Sequence, residues 1–94
     1  MSYFPKKEVF GLSSQIRRSA NSIAANIAEG AGRNSKKEFN QFLSIALGSA
    51  FELDTHFQIA FKIGYISEER SNEISDLIIE IEKMIRGLQK SFKI

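Results

Sequence analysis

Apolar residues recur at steps of three and four through most of the chain, and no segment alternates residue by residue. That is the helical period, so the pattern predicts helices and no strands. The first helix runs from about 9 to 29. Ile16, Ala20, Ile23 and Ile27 repeat at steps of 4, 3 and 4, with Val9 and Leu12 leading in. Pro5 with the charged Lys6-Lys7-Glu8 reads as its lead-in. Gly30 and Gly32 read as its stop, because glycine takes the left-handed conformation of a helix end without steric cost.

The second helix runs from about 35 to 63. Ser35 and Glu38 have the spacing of a capping box. Phe39, Leu43, Ala46, Ala50, Leu53, Phe57 and Ala60 then form an unbroken seam of alternating four- and three-residue steps, and Gly64 ends it. The third helix runs from about 67 to 92. Ser67 is its expected N-cap, with Glu68 and Glu69 well placed in the first turn. Its seam is Ile74, Ile78, Ile81, Ile85, Leu88 and Phe92, and Glu82 and Arg86 stand in the favourable i, i+4 order.

Seams of this spacing pack at shallow left-handed angles, and short connections make neighbouring helices antiparallel. The expectation is an all-α, up-down antiparallel bundle of three long helices. The second helix also carries apolar residues off its seam, at Ile45, Phe51, Ile59 and Ile63. Two companion helices cannot cover all of them, so a second copy of the chain is expected there. Gly48 lies in the small-residue run Ala46-Leu47-Gly48-Ser49-Ala50, which suggests close approach of a neighbouring helix. Ile45, Gly48, Phe51, Ile59 and Ile63 are therefore the expected oligomer interface.

Ninety-four residues fit one domain, 1–94, and eight phenylalanines enlarge its modest core. There is no cysteine, which excludes disulfides and thiolate chemistry. The start has neither the apolar core nor the cleavage site of a signal peptide, and no apolar run nears the roughly 18–20 residues of a membrane span. A cytoplasmic location is the expectation. Residues 1–40 carry seven basic against three acidic groups, and residues 41–94 six against eight. A basic half suggests an acidic partner.

The glycine-rich stretch Gly30-Ala31-Gly32-Arg33-Asn34-Ser35 resembles a dinucleotide fingerprint only superficially. Ser35 stands where the third glycine belongs, and a helix precedes it where a strand is required. It also lacks the ending of a nucleotide-binding loop. Arg33, Lys36 and Lys37 crowd the start of the second helix, where free N–H groups and cations together suit an anion. Arg17 and Arg18 have no acidic residue at i±3 or i±4 in their own helix. These five residues are either solvated surface charge or a patch for nucleic-acid phosphates. No aromatic is interleaved with them, so stacking on single strands is not indicated. His56 has Glu52 one turn before it, but Asp54 points elsewhere and no metal site is expected. Asn26 and Glu29 share a face, where such residues more often satisfy backbone groups than catalyse. No catalytic residue, cofactor or small-molecule substrate is expected, and the chain is not read as an enzyme.

Taken together, three segments resemble the four-helix bundle proteins of the 23S ribosomal RNA intervening-sequence family. They are Phe10-Gly11-Leu12-Ser13-Ser14-Gln15-Ile16-Arg17-Arg18, Ser22-Ile23-Ala24-Ala25-Asn26-Ile27-Ala28-Glu29-Gly30, and the second-helix run from Phe39 through Phe42-Leu43, Ile45-Ala46 and Gly48-Ser49-Ala50 to Glu52-Leu53. Gly64-Tyr65-Ile66-Ser67 fits as well. That family is bacterial and is similar to the accessory protein that accompanies reverse transcriptase in diversity-generating retroelements. The resemblance implies an antiparallel bundle assembled as a ring, typically a pentamer, that binds RNA or an RNA-handling partner without catalysis. Family members carry a further long helix before Tyr3-Phe4-Pro5-Lys6-Lys7, whereas Met1 and Ser2 alone precede it here. The expectation is the family bundle lacking its first helix, with an apolar groove along the other three. The functional expectation is a non-enzymatic oligomeric accessory protein for RNA or a reverse transcriptase. The alternative is a protein–protein interaction scaffold with no nucleic-acid binding.

Overall fold

The computed structural model describes residues 6–92, with side chains from residue 11 onward. Three helices fill it: α1 (Lys6–Ala31), α2 (Lys36–Lys62) and α3 (Glu68–Ser91). α1 starts three residues before the sequence pattern places it and ends two residues after. The Pro5 lead-in and the side chains of Lys6, Lys7, Glu8 and Val9 lie outside the described residues.

The caps follow from the residues named above. Ser35 is extended, and its hydroxyl accepts a bond from the Glu38 N–H at 3.0 Å, opening α2. Ser67 does the same for Arg70 at 3.1 Å, opening α3. α2 ends in a Schellman motif: Tyr65 N–H donates to Ala60 at 2.8 Å and Gly64 N–H to Phe61 at 3.0 Å. Gly64 has φ +81°, the left-handed value this closure demands.

α1 ends differently from the expectation. Gly64 is the one glycine with positive φ among the described residues, so neither Gly30 nor Gly32 stops α1 by turning left-handed. Gly30 lies inside the helix and is buried. The chain leaves through a tightened turn, with Gly32 N–H on Ala28 and Arg33 N–H on Gly30.

The seams form the core. Leu43, Ala46, Ala50, Leu53 and Ala60 of α2 are buried with Ile23 of α1 and Ile78 and Ile85 of α3. Phe39 meets Phe92 with ring centroids 5.2 Å apart, which pins the start of α2 to the end of α3. α2 is the middle helix. It packs antiparallel against α1 on one side and α3 on the other, while among the described residues the backbones of α1 and α3 do not pack against each other. The molecule measures 48 × 24 × 12 Å, so its short dimension is about one helix with side chains. None of the described helices is long and apolar enough to cross a membrane.

Candidate nucleic-acid interface

The five candidate basic residues fall in two places. Arg33, Lys36 and Lys37 sit at the α1–α2 turn, all exposed. Arg17 and Arg18 are exposed halfway along α1. Thirteen residues separate Arg18 from the end of α1, about 20 Å at 1.5 Å per residue. A single phosphate cannot bridge that distance, whereas an extended polyanion lying along α1 can.

Arg33 is already engaged. Its guanidinium donates to Glu29 at 2.8 Å, one turn back, and its charge lies 5.1 Å from the Phe42 ring centre. Among the described residues, Arg17, Arg18, Lys36 and Lys37 have no acidic partner within salt-bridge distance. These four carry the free positive charge of the site.

The family-like signature on α1 has a structural use that sequence reasoning missed. Ser19, almost wholly buried at 1% exposure, donates to Glu52 of α2 at 2.8 Å. Ser22 and Ser49 share a hydrogen bond at 2.8 Å, and the Asn26 amide donates to the Ser22 carbonyl and hydroxyl. These residues form a polar ladder between two apolar helices. Ser19, Ser22 and Asn26 recur at steps of three and four, which was the available signal. In the ladder Asn26 and Glu52 each hold a neighbour, and Glu29 outside it holds Arg33. His56 Nε2 is buried without a hydrogen-bond partner, and among the described residues no three His, Asp or Glu side chains converge.

Within one copy the close approach between helices falls at Gly30, not Gly48. A Cβ on Gly30 would lie 2.7 Å from Phe42 Cβ, whereas one on Gly48 would meet nothing within 4 Å. Gly48 faces outward, with Ile45, Phe51 and Ile59 also exposed, and Ile63 is half-buried. At about 100° per residue, Phe51 and Ile59 lie more than 100° around α2 from Leu53. Near them Arg86 stands 5.8 Å from the Phe51 ring centre. Burial holds the Glu82 carboxyl above its ordinary value, Asp54 adds to the rise, and Arg86 opposes it.

On the Leu53 side a trough of about 390 Å³ runs between α1 and α3, lined only by apolar residues. It matches the groove expected along three helices of a four-helix bundle.

A family model described as 23S rRNA-intervening sequence protein matches residues 1–87. No curated protein matches the chain.

Proposed function

The chain belongs to the 23S rRNA-intervening sequence protein family, and from that premise we propose that it is a non-enzymatic, RNA-associated accessory protein that works as a homo-oligomer. The observation that carries the reading is the free charge of Arg17, Arg18, Lys36 and Lys37 along one helix and the following turn. Spread over about 20 Å, these groups suit a phosphate backbone more than a small anion. Arg33 belongs to the patch by position, but its pairing with Glu29 weakens its part. The polar side chains that the fold gathers between α1 and α2 bond one another, which supports binding rather than catalysis. An RNA-handling enzyme of the reverse-transcriptase kind is the partner the resemblance suggests, and it would meet these same exposed surfaces.

Oligomerisation would use the outward face of α2. Ile45, Phe51 and Ile59 are large, apolar and 53%, 46% and 43% exposed, and Gly48 and Ile63 lie among them. Repetition around an assembly, a pentamer in the family pattern, multiplies a patch that is weak in one copy.

Titration of RNA binding against salt tests the reading. Affinity should fall linearly on a log–log plot, with a slope near 0.9 for each phosphate contact. Charge reversal at Arg17 and Arg18 should flatten it. Absence of binding at low salt, or indifference to those reversals, sinks the RNA reading. The same exposed apolar residues favour the second reading, a scaffold that binds protein alone. In that case Phe51→Ala with Ile59→Ala abolishes assembly or partner binding, and charge reversals change nothing.

A further inference from the structure

The seam between α2 and α3 holds a charged cluster on the Phe51 side of the layer. Asp54 belongs to it from α2, and Glu82 and Arg86 from α3. Arg86 is turned to Phe51, 5.8 Å from the ring centre. Among the described residues no basic group stands within salt-bridge distance of either carboxyl. Asp54 Oδ1 is buried without a hydrogen-bond partner. The cluster is thus two acids against one base, and that base is engaged by an aromatic ring. We infer that assembly through the outward face of α2 takes up a proton into the Asp54–Glu82 pair at each contact, so that acid strengthens the oligomer. The inference rests on the outward-face oligomer proposed above and names what regulates it.

Position puts the cluster under the contact. Ile81 lines the trough, and Glu82 lies about 100° around α3 from it. Exposed Phe51 and Ile79 flank the cluster on the outward side. Glu82 itself is half-buried, so water still reaches it in the single copy. A copy that covers Phe51 and Ile79 removes that water. An ionised carboxylate loses most when water leaves, whereas a protonated carboxyl loses little and gains a donor. Burial and the Asp54 charge already hold the Glu82 carboxyl above its ordinary value, against the pull of Arg86. The contact acts in the same direction as burial does.

Within one copy no further charge answers the pair. On α2 no charged residue lies one turn from Asp54, and His56 stands about 160° around the helix from it. On α3 Arg86 is the one charge a turn from Glu82, while Lys83 and Glu80 lie about 100° and 160° away around the helix. The backbones of α1 and α3 do not pack against each other, so α1 brings no charge to the cluster. Arg17 and Arg18 therefore keep their charge whatever the pair does. Ring closure amplifies the effect. A closed ring makes as many identical contacts as it has copies, so proton uptake grows with the ring and the response to pH steepens.

Sedimentation of the full 94-residue chain at constant salt, over a concentration series from pH 4.5 to neutrality, tests this. Wild-type association should strengthen as pH falls, by up to about tenfold per pH unit at each contact, the limit for one proton. Glu82→Gln carries no charge there, so it should associate more tightly than wild type at neutrality and lose the acid response. Asp54→Asn should blunt the response as well, and it serves if circular dichroism shows that Glu82→Gln does not fold. Glu80→Gln, at an exposed position of α3 outside the cluster, should respond as wild type does. A wild type that assembles without regard to pH overturns the inference while the outward-face oligomer stands. So does a Glu82→Gln chain that keeps the wild-type response. Weaker association of Glu82→Gln at neutrality also overturns it, because the next copy would then be supplying a cation to the pair. A chain that stays monomeric at every pH, or whose assembly ignores Phe51→Ala with Ile59→Ala, overturns the outward-face oligomer and this inference together.

Discussion

Gly30→Ala is the sharpest test of how closely α1 and α2 pack. In an open helix the change stabilises by up to about 1 kcal/mol, because glycine has more backbone freedom to lose. Here the new Cβ would fall 2.7 Å from Phe42 Cβ, 2.8 Å from Phe39 Cδ1 and 3.3 Å from the Phe39 backbone oxygen. Carbon atoms prefer about 3.5–4.0 Å. The Phe39 ring can turn aside, but Phe42 Cβ is fixed to its backbone, so the helices must part by about 1 Å. Overpacking of this kind costs about 1–3 kcal/mol. The cost outweighs the propensity gain, and the net loss reaches about 2 kcal/mol. For a domain of this size, each kcal/mol moves the melting temperature by about 4–8 °C. Gly87 is the internal control, because a Cβ there would meet nothing within 4 Å. Thermal melts followed by circular dichroism, at one chain concentration, should show Gly30→Ala below wild type and Gly87→Ala above it. If Gly30→Ala melts as high as Gly87→Ala, the two helices are not in contact at that point and the reasoning is wrong.

Further outcomes follow from the polar groups and from the outward face. Glu52→Ala should destabilise by about 1 kcal/mol, since it takes the acceptor from the buried Ser19 hydroxyl, whereas Ser19→Ala removes the buried polar group itself and should cost less; urea titrations of both variants decide. The Glu82 carboxyl binds its proton more tightly folded than unfolded, so its charge opposes folding once pH rises above the ordinary carboxyl range. Wild type should therefore lose stability relative to Glu82→Gln as pH climbs from 4.5, and parallel difference curves across that range would contradict this. Gly48→Ala should raise the melting temperature like Gly87→Ala if the outward face is open, and should fail to do so at concentrations where a second copy covers it.

The seams were legible because their period is redundant. Seven residues of α2, from Phe39 to Ala60, keep one rhythm, and a single misplaced residue could not hide it. The caps at Ser35 and Ser67 were legible because an N-cap is a local bond between a hydroxyl and an N–H three residues on. The role of Gly30 was not, because a glycine at a helix end and one under a neighbouring phenylalanine look alike until the partner helix is placed. The polar ladder was missed for the same reason: Ser19 and Glu52 are 33 residues apart, and only the antiparallel register of α1 and α2 brings them together. The basic residues were all visible, but their division into two groups depends on how far α1 continues past Arg18. That Arg33 is spoken for was half visible, since Glu29 stands four residues before it. The groove expected along three helices of a four-helix bundle is present, with α1 and α3 on either side of α2.

The central position of α2 has a consequence for how the molecule comes apart. α1 with α2 and α2 with α3 are two helical hairpins that share one helix, and among the described residues the backbones of their outer arms do not pack against each other. Either arm can therefore let go while the other stays bound. The amides of α2 are exposed only when both have left, whereas those of α1 and α3 open on the release of one. Native-state hydrogen exchange should rank α2 as the slowest segment, with α1 and α3 opening at separate and lower free energies. The chain would behave as two small folding units fastened by one helix.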